Sequence, residues 1–226
     1  MEKQSMIINN ILSNDNLNRA YKQVVKNKGA AGIDGMECEA LFSHLRTNGA
    51  QLKESIRNQA YNPLPVKRVE IPKEDGSKRK LGIPTVTDRL IQQAVAQVLT
   101  PIYERIFHRN SYGFRTEKSA QQAVLKAVEY MNDGYNWVVD IDLEKFFDTV
   151  DHNKLISILN KEIKDGKVLS LIRKFLVSGV MVGEHMEETE IGTPQGGNLS
   201  PLLANIILNE LDWELEKRKL KFVRYA

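Results

Sequence analysis

The chain contains 226 residues, of which 42% are hydrophobic and 27% are charged. This composition is typical of a globular protein with a sizeable core and excludes an intrinsically disordered chain. The single cysteine, Cys38, excludes an internal disulfide and a cysteine-clustered zinc site. The sequence shows neither a run of about 20 apolar residues nor a signal-peptide pattern, so we expect a soluble protein of a reducing compartment.

The formal net charge is only +3, but charge is unevenly distributed along the chain. Residues 61–120 carry 11 basic and 6 acidic side chains, whereas residues 181–226 carry 5 basic and 8 acidic ones. A basic middle followed by an acid-rich region suits a protein that binds a polyanion near metal-binding carboxylates. An ordinary solvated surface would explain the same counts, so charge alone leaves the function open.

The first 60 residues are predicted to be helical. Apolar residues recur at helical spacing from Met6 to Val25, with an interruption expected at 13–16. A loop, KGAAGIDG, is predicted at 28–35, and two short helices are predicted around 41–45 and 51–58. The loop lacks the GxxxxGK[ST] pattern of phosphate-binding loops, so we interpret it as a connection.

A β-hairpin with a basic tip follows these helices. Residues 66–72 alternate between apolar and polar side chains, which is typical of a strand. Asp75-Gly76 is a turn signal, and residues 78–83 supply the returning strand. Its cations, which are suited to neutralising a triphosphate or a nucleic-acid backbone, are Lys67, Arg68, Lys73, Lys78, Arg79 and Lys80.

Further helices and strands are predicted towards the C-terminus. Thr87 is expected to cap a helix that reaches about Phe107 and bends at Pro101. The mostly apolar segment 137–142 predicts a short buried strand. The remaining elements are predicted helices at 119–131, 153–162, 168–177 and 199–217, a hairpin of 180–182 with 186–190, and the start of a strand at 220–225.

The sharpest chemical feature is the carboxylate-rich segment 138–152, VVDIDLEKFFDTVDH. Carboxylates at the end of an apolar strand are costly unless a bound cation compensates them, and Mg²⁺ prefers such hard oxygen ligands. Strand alternation places Asp140 and Asp142 on the same face. The alternative is that the acidic residues are helix caps, which fits Asp148 and Asp151 well.

A second feature is the segment GTPQGG at 192–197, directly before the predicted 199–217 helix. Its adjacent glycines allow the backbone to approach a flat or anionic partner closely, and a helix N-terminus follows. Taken alone, the segment is equally well explained as a structural junction between a loop and a helix.

The order of these segments resembles that of a reverse transcriptase, and more narrowly of a bacterial group II intron-encoded reverse transcriptase, or maturase. The segments that carry the resemblance are the basic hairpin, SYGFR at 111–115, DLEKFFD at 142–148, GTPQGG at 192–197 and RYA at 224–226. The resemblance covers nearly the whole chain. It implies an α+β, right-hand polymerase fold with helix-rich fingers, a basic β-hairpin and an antiparallel palm sheet.

The resemblance also implies a division of the chain. Residues 1–110 would be mainly fingers, with an N-terminal helical extension and the basic hairpin. Residues 111–226 would be mainly palm, with part of the fingers near 111–135. We expect the palm to be incomplete at the C-terminus and the thumb to be absent, so that the sequence is a piece of a larger enzyme.

Individual site residues follow from the same resemblance. Asp142 matches the catalytic, metal-binding aspartate of the palm, and the backbone carbonyl of Leu143 lies beside it as a further Mg²⁺ ligand. Phe147 matches the steric gate against a ribose 2′-hydroxyl. The residues that match dNTP contacts are Lys73, Arg79, Phe147, Gln195 and Leu143, and those that match RNA contacts are Lys67, Arg68, Arg115 and Lys28.

The resemblance implies RNA-directed DNA polymerase activity with Mg²⁺ as cofactor. The expected partners are group II intron RNA, an RNA template with a DNA primer, and dNTPs, with a homodimer as an option, in the bacterial cytoplasm. The family's next motif is YADD, whereas this sequence stops at Tyr225-Ala226. Without those two aspartates the two-metal site is incomplete, so we expect the 226-residue chain to be inactive in polymerisation.

Other interpretations of the sequence stay open. The region could be a non-catalytic RNA-binding or self-association module. It could also belong to a retron, diversity-generating or CRISPR-associated reverse transcriptase lineage. An unrelated Mg²⁺-dependent phosphohydrolase is the weakest alternative, because it leaves the hairpin and GTPQGG unexplained.

Overall fold

The computed structural model describes residues 6–72, 76, 78–193 and 196–225. The chain divides into two compact units, one of residues 1–98 with 146–200 and the other of residues 99–145 with 201–226. The predicted α+β class is confirmed. The helices are α1 (Met6–Ile11), α2 (Asn14–Asn27), α3 (Leu41–Arg57), α4 (Val86–Tyr103), α5 (Ala120–Asn132), α6 (Phe146–Thr149), α7 (His152–Glu162), α8 (Gly166–Leu176) and α9 (Ser200–Lys217); the strands are β1 (Val66–Pro72), β2 (Lys78–Ile83), β3 (Val180–Val182) and β4 (His185–Glu187).

The predicted interruption of the N-terminal helical region is confirmed. The Ser13 hydroxyl caps α2 by accepting a hydrogen bond from the Asn16 backbone N–H at 3.3 Å. Asn16 is itself buried, and its side-chain amide donates to the carbonyls of Ile11 and Ala94, both at 3.0 Å. These bonds satisfy polar groups that would otherwise be costly to bury, and they attach the start of α2 to α4.

Helix α3 corrects the prediction of two separate short helices. It runs without a break from Leu41 to Arg57, and both Leu41 and Ile56 are buried. Gly49 lies inside it and costs about 1 kcal/mol relative to alanine in a helix interior. Burial at both ends of the helix outweighs this local cost, which is a tertiary effect that the local pattern does not contain.

The sheet belongs to the first unit and has the strand order β2-β1-β3-β4. The predicted hairpin is confirmed, with Lys67 opposite Ile83 and Pro72 opposite Lys78 in an antiparallel register. Strand β3 pairs with β1 in parallel, and β4 pairs with β3 antiparallel across a turn at Gly183. The sheet is therefore mixed, and it brings the basic hairpin next to the second, acidic hairpin.

Helix α4 begins and ends differently from the prediction. Thr85, not Thr87, caps it, because the Thr85 hydroxyl accepts from the Asp88 N–H at 3.1 Å and donates to the Asp88 carboxylate at 2.6 Å. Pro101 lies inside the helix and does not interrupt it, and the helix ends at Tyr103 rather than near 107. A proline so close to the C-terminus removes only one of the last intrahelical hydrogen bonds.

The Asp88 carboxylate also attaches the segment that leads into the basic hairpin. It accepts from the Tyr61 hydroxyl at 2.6 Å and from the Leu64 N–H at 3.3 Å. Burial raises the pKa of Asp88, although these hydrogen bonds favour its ionised form. Burial, together with the nearby Asp88 carboxylate, likewise raises the pKa of Tyr61. The direction of chain entry into β1 is thus set by buried polar groups.

In the second unit, the predicted buried strand at 137–142 is wrong. This segment forms no strand, and Trp137 and Val139 are 97% and 82% exposed. An apolar run becomes a strand only when a neighbouring strand accepts its backbone hydrogen bonds, and no other described segment pairs with it. By contrast, the predicted helix at 119–131 is confirmed as α5, with Ser119 and Gln122 forming a capping box.

A buried ion pair anchors the C-terminal segment of the second unit. The predicted strand at 220–225 is reduced to one parallel bridge between Ser111 and Arg224. The Arg224 guanidinium donates to both carboxylate oxygens of Asp212, with the shortest distances at 2.8 Å. It also donates to the Asn205 side-chain oxygen at 2.8 Å and the Ser111 hydroxyl at 2.7 Å.

None of the described helices is long and apolar enough to cross a membrane.

Replacing Asp212 by alanine is expected to lower the free energy of unfolding by about 3–5 kcal/mol, because the buried Arg224 guanidinium loses its counter-charge. The Asp212 side chain is 0% exposed and the Arg224 side chain 10%. Urea denaturation followed by circular dichroism measures the change. Glu214→Ala removes the partner of exposed Arg218 and serves as the control, with an expected loss below about 1 kcal/mol. Equal losses in the two variants would contradict the anchoring role of the buried pair.

Candidate nucleotide and nucleic-acid interface

The first unit brings three of the predicted motifs together around one open cleft. The basic hairpin, the short helix α6 and the beginning of the 192–197 loop all border it, and its volume is about 370 Å³. The residues that line the cleft are Val66, Arg68, Lys80, Gly82, Phe147, Asp148, Val180, Glu187, Glu188, Thr189, Glu190, Ile191, Gly192 and Thr193. Segments that are more than 100 residues apart in the sequence are therefore neighbours in the fold.

Backbone hydrogen bonds hold the start of the 192–197 loop against helix α6. The Thr193 N–H donates to the Phe147 carbonyl at 2.6 Å, and the Gly192 N–H donates to the Val150 carbonyl at 2.8 Å. The buried His152 ring contacts the Gly192 carbonyl through Nε2 at 2.6 Å. Because both partners are main-chain groups, the position of Phe147 relative to the loop does not depend on flexible side chains.

The glycines of this loop serve close packing inside the protein. Gly196 has a φ of +114°, and a Cβ built on it would lie 2.6 Å from the Gly82 carbonyl oxygen in β2. A Cβ on Gly197 would lie 2.7 Å from the side-chain oxygen of Gln92 in α4. We predicted from the sequence that the glycines allow a close approach to a partner, and the partners observed are β2 and α4 of the same chain.

The two faces of the basic hairpin carry different predicted residues. Side chains of directly opposed residues in an antiparallel pair lie on the same face. Arg68 is opposite Gly82, and both line the cleft together with Lys80. Lys67 and Arg79, which differ from Arg68 and Lys80 by one residue along their strands, therefore lie on the other face. We call these the cleft face and the outer face.

This geometry separates residues that the sequence left as alternatives. Lys67 and Arg68 both matched an RNA contact, and the structure places Lys67 on the outer face with Arg79 but Arg68 on the cleft face. Lys73 and Gln195, which match dNTP contacts, lie outside the described residues. Their predicted roles therefore stay predictions.

The predicted catalytic residue Asp142 belongs to the second unit and is exposed, as is Leu143. No group of three or more Asp, Glu, His or Cys side chains suited to a metal ion occurs among the described residues. Of the other acidic residues in this segment, Asp151 caps α7 by accepting from the Lys154 N–H at 2.7 Å, as predicted. Asp148 lies inside α6 and lines the cleft instead of capping a helix.

Arg115, which matched an RNA contact, is engaged within the second unit. Its side chain is 5% exposed and contacts the Glu104 carboxylate at 2.7 Å. It also donates to the carbonyls of His108 and Ser111 at 2.7 and 2.8 Å, and stacks over the Phe107 ring at 5.2 Å. The burial of Arg115 supports a role in holding the 108–111 turn and does not support direct contact with RNA.

Lys28 is exposed at the start of the predicted 28–35 loop, which the structure confirms as a loop. The buried side chain of Arg89 holds this loop by donating to the Lys28 and Ala30 carbonyls at 3.3 and 2.9 Å. Gly32 packs against the backbone of Thr85, where a Cβ would come within 2.7 Å. Lys28 is therefore presented to solvent from an anchored backbone.

Two residues of this region were not among the predicted site residues. Lys80 was noted only as one cation of the hairpin, although strand alternation and the position of Gly82 place it on the cleft face. His152 was not singled out, and its contact with Gly192, 40 residues further along the chain, has no local sequence signal.

Gly196→Ala is expected to lower the free energy of unfolding by about 2 kcal/mol or more, because it adds backbone strain and a clash with the Gly82 carbonyl. Gly183→Ala is the matched control, since Gly183 also has a positive φ but has open space around its Cβ position. For that variant a loss of about 1 kcal/mol is expected. Chemical denaturation compares the two, and equal losses would show that the 196–82 approach is not tight.

Comparison with known proteins identifies the family. The family model described as "Reverse transcriptase (RNA-dependent DNA polymerase)" matches residues 71–226, which is more than half of the chain. The group II intron-encoded protein LtrA of Lactococcus lactis subsp. cremoris is 42% identical over 206 residues, covering 91% of this chain and 34% of that protein. Protein YkfC of Escherichia coli (strain K12) is 38% identical over 211 residues, covering 90% of this chain and 55% of YkfC.

A solved structure gives the same result at the level of the fold. A chain of the "Partial Cas6-RT-Cas1--Cas2 complex" superposes with a TM-score of 0.63 and 28% identity, covering 97% of this chain and 36% of that one. The present chain thus spans about a third of LtrA and about half of YkfC. The predicted resemblance to group II intron-encoded proteins is confirmed, and the chain belongs to the reverse transcriptase family.

Proposed function

We propose that this chain is the fingers and palm region of a group II intron-encoded reverse transcriptase that copies intron RNA into DNA and binds that RNA to assist splicing. The observation that carries the proposal is the family match over residues 71–226, within which the hairpin, the Phe147 turn and the 192–197 loop meet around one cleft. In this proposal residues 1–110 contribute mainly fingers and residues 111–226 mainly palm.

The proposed reaction is the extension of a primer on an RNA template. The primer 3′-oxygen forms a bond to the α-phosphorus of a dNTP, the bond to the β-phosphate bridging oxygen breaks, and pyrophosphate leaves. Lys73 and Arg79 are the proposed cations for the triphosphate. Lys67 supports this assignment, because it shares the outer face of the hairpin with Arg79.

Phe147 is the proposed steric gate that rejects ribonucleotides. A large ring placed against the sugar would clash with a 2′-hydroxyl, which only the RNA precursor carries. The hydrogen bond from Thr193 to the Phe147 carbonyl supports this role, because a steric gate needs a rigid backbone. Gln195, in the same loop, is the proposed neighbour on the nucleotide and primer side.

The metal proposal rests on the family more than on this structure. Reverse transcriptases generally use divalent metal ions, and we propose Mg²⁺ with Asp142 and the Leu143 carbonyl as ligands. The described residues do not form a complete metal centre, because they contain no group of three suitable side chains. Two-metal phosphoryl transfer needs further carboxylates, so we propose that the 226-residue chain alone does not polymerise.

The proposed partners are the intron RNA, the RNA template with its DNA primer, and dNTPs. Lys28 and Lys67 are exposed cations, and together with Arg68 they are the proposed RNA contacts. Relatives from Lactococcus lactis and Escherichia coli support a bacterial cytoplasmic location as part of this proposal. Self-association of two copies stays a prediction.

One alternative function has a specific observation in its favour. A non-catalytic RNA-binding module would need the cations but no metal centre, and the described residues lack such a centre. A CRISPR-associated lineage is less well supported, because the solved CRISPR-associated structure is 28% identical whereas the intron-encoded LtrA is 42% identical. Primer extension separates catalysis from binding alone.

We expect Asp142→Ala to abolish extension of a DNA primer on an RNA template by the protein that contains this chain. The loss should be at least about a hundredfold, the scale of removing a charged group that stabilises the transition state. Asp133→Ala, another exposed carboxylate of the second unit, is the control and should leave the rate unchanged. Extension by the Asp142 variant at the wild-type rate would remove Asp142 from the mechanism.

Phe147→Ala is expected to raise ribonucleotide incorporation relative to deoxyribonucleotide incorporation by about tenfold or more, which is the scale of a lost steric contact in a pocket. Single-nucleotide extension with dNTPs and rNTPs measures the ratio. Phe114→Ala, which truncates a 70% exposed ring, is the control. An unchanged ratio in the Phe147 variant would overturn the steric-gate assignment.

A further inference from the structure

The two faces of the basic hairpin lie in opposite electrostatic surroundings. On the outer face the ribbon presents two cations, Lys67 and Arg79, among the apolar side chains Val69, Ile71, Leu81 and Ile83. No acidic residue of β1 or β2 points to that face, because Glu70 lies opposite Lys80 on the cleft face. The outer face of the ribbon therefore carries only positive charge.

The cleft face has the opposite balance. Two cations, Arg68 and Lys80, share the cleft with four carboxylates, those of Asp148, Glu187, Glu188 and Glu190. The charged residues that line the cleft therefore have a formal net charge of 2 − 4 = −2. A cation-rich hairpin thus forms one wall of an acidic cleft.

The sheet topology keeps these acidic residues in place. Strand β3 pairs in parallel with β1, with Val66 opposite Val180, and β4 pairs with β3, with Val180 opposite Glu187. Strand β4 therefore lies two strands from β1 in the same sheet, about 10 Å away at the usual strand spacing. Glu188 and Glu190 follow directly after β4, and the loop then reaches the anchored Gly192.

The opposite charges in the cleft do not close into contacts. Among the described residues, no nitrogen of Arg68 or Lys80 lies within 4.0 Å of a carboxylate oxygen of Asp148, Glu187, Glu188 or Glu190. All four carboxylate residues are exposed. Their charge therefore acts on whatever enters the cleft, within a screening length of about 8 Å at physiological salt.

We propose that the acidic segment 187–190 excludes polyanions from the cleft and thereby confines RNA and the nucleotide triphosphate to the outer face of the hairpin. The segment acts as a specificity determinant, because without it a phosphate backbone would find cations on both faces of the same ribbon. This inference rests on the proposed function, since it assumes that the chain binds RNA.

The test is the affinity of the 226-residue chain for a single-stranded RNA of mixed sequence, measured by fluorescence anisotropy between 50 and 300 mM salt. The variant E187Q/E188Q/E190Q should bind about five- to tenfold more tightly at low salt. The slope of log K against log salt should steepen by about 1.4, because two additional phosphate contacts become available at about 0.7 each. Adding Arg68→Ala and Lys80→Ala to that variant should remove the gain.

The matched control is E39Q/E162Q/E184Q, which changes the net charge equally through exposed glutamates that do not line the cleft. It should change affinity less than twofold. An equal gain in both variants, or no gain in the 187–190 variant while the wild type binds RNA, would overturn this inference alone. Failure of the wild-type chain to bind RNA would overturn the proposed function and this inference with it.

Discussion

The backbone contact between the 192–197 loop, β2 and α6 is the constraint on which the candidate interface depends. Gly196 can lie against the Gly82 carbonyl only because neither residue has a side chain at that point. Thr193 then closes the contact on the other side through its hydrogen bond to Phe147. The hairpin, the Phe147 turn and the loop therefore keep their relative positions through main-chain geometry, and the side chains that carry the proposed chemistry project from a fixed frame.

Charge on this frame is arranged by face. Because residues alternate along β1 and β2, a shift of one position moves a cation from the outer face to the cleft face, as Lys67 and Arg68 show. The parallel pairing of β1 with β3 then brings the acidic β4 region to the cleft side. A nearly neutral chain can thus present a positive surface on one face of a ribbon and a negative cleft on the other.

The elements that sequence patterns predicted well are those stabilised by their own residues. Helices α2, α5 and α7 begin at side-chain caps that are recognisable in the sequence, and the β1–β2 hairpin follows strand alternation around a turn signal. The errors occur where a distant segment decides the outcome. The 137–142 segment has the composition of a buried strand but no described partner to pair with, and α3 continues through Gly49 because both of its ends are buried.

By itself, the sequence determined the family, the α+β class and the residue types of the interface, because these depend on local periodicity and on the order of motifs along the chain. Only the tertiary structure decided which of these residues share a surface. It placed Lys67 with Arg79 and Arg68 with the glutamates, and it committed Arg115 to Glu104. Strand register and burial arise from contacts between residues far apart in the chain, and a local pattern contains no information about such contacts.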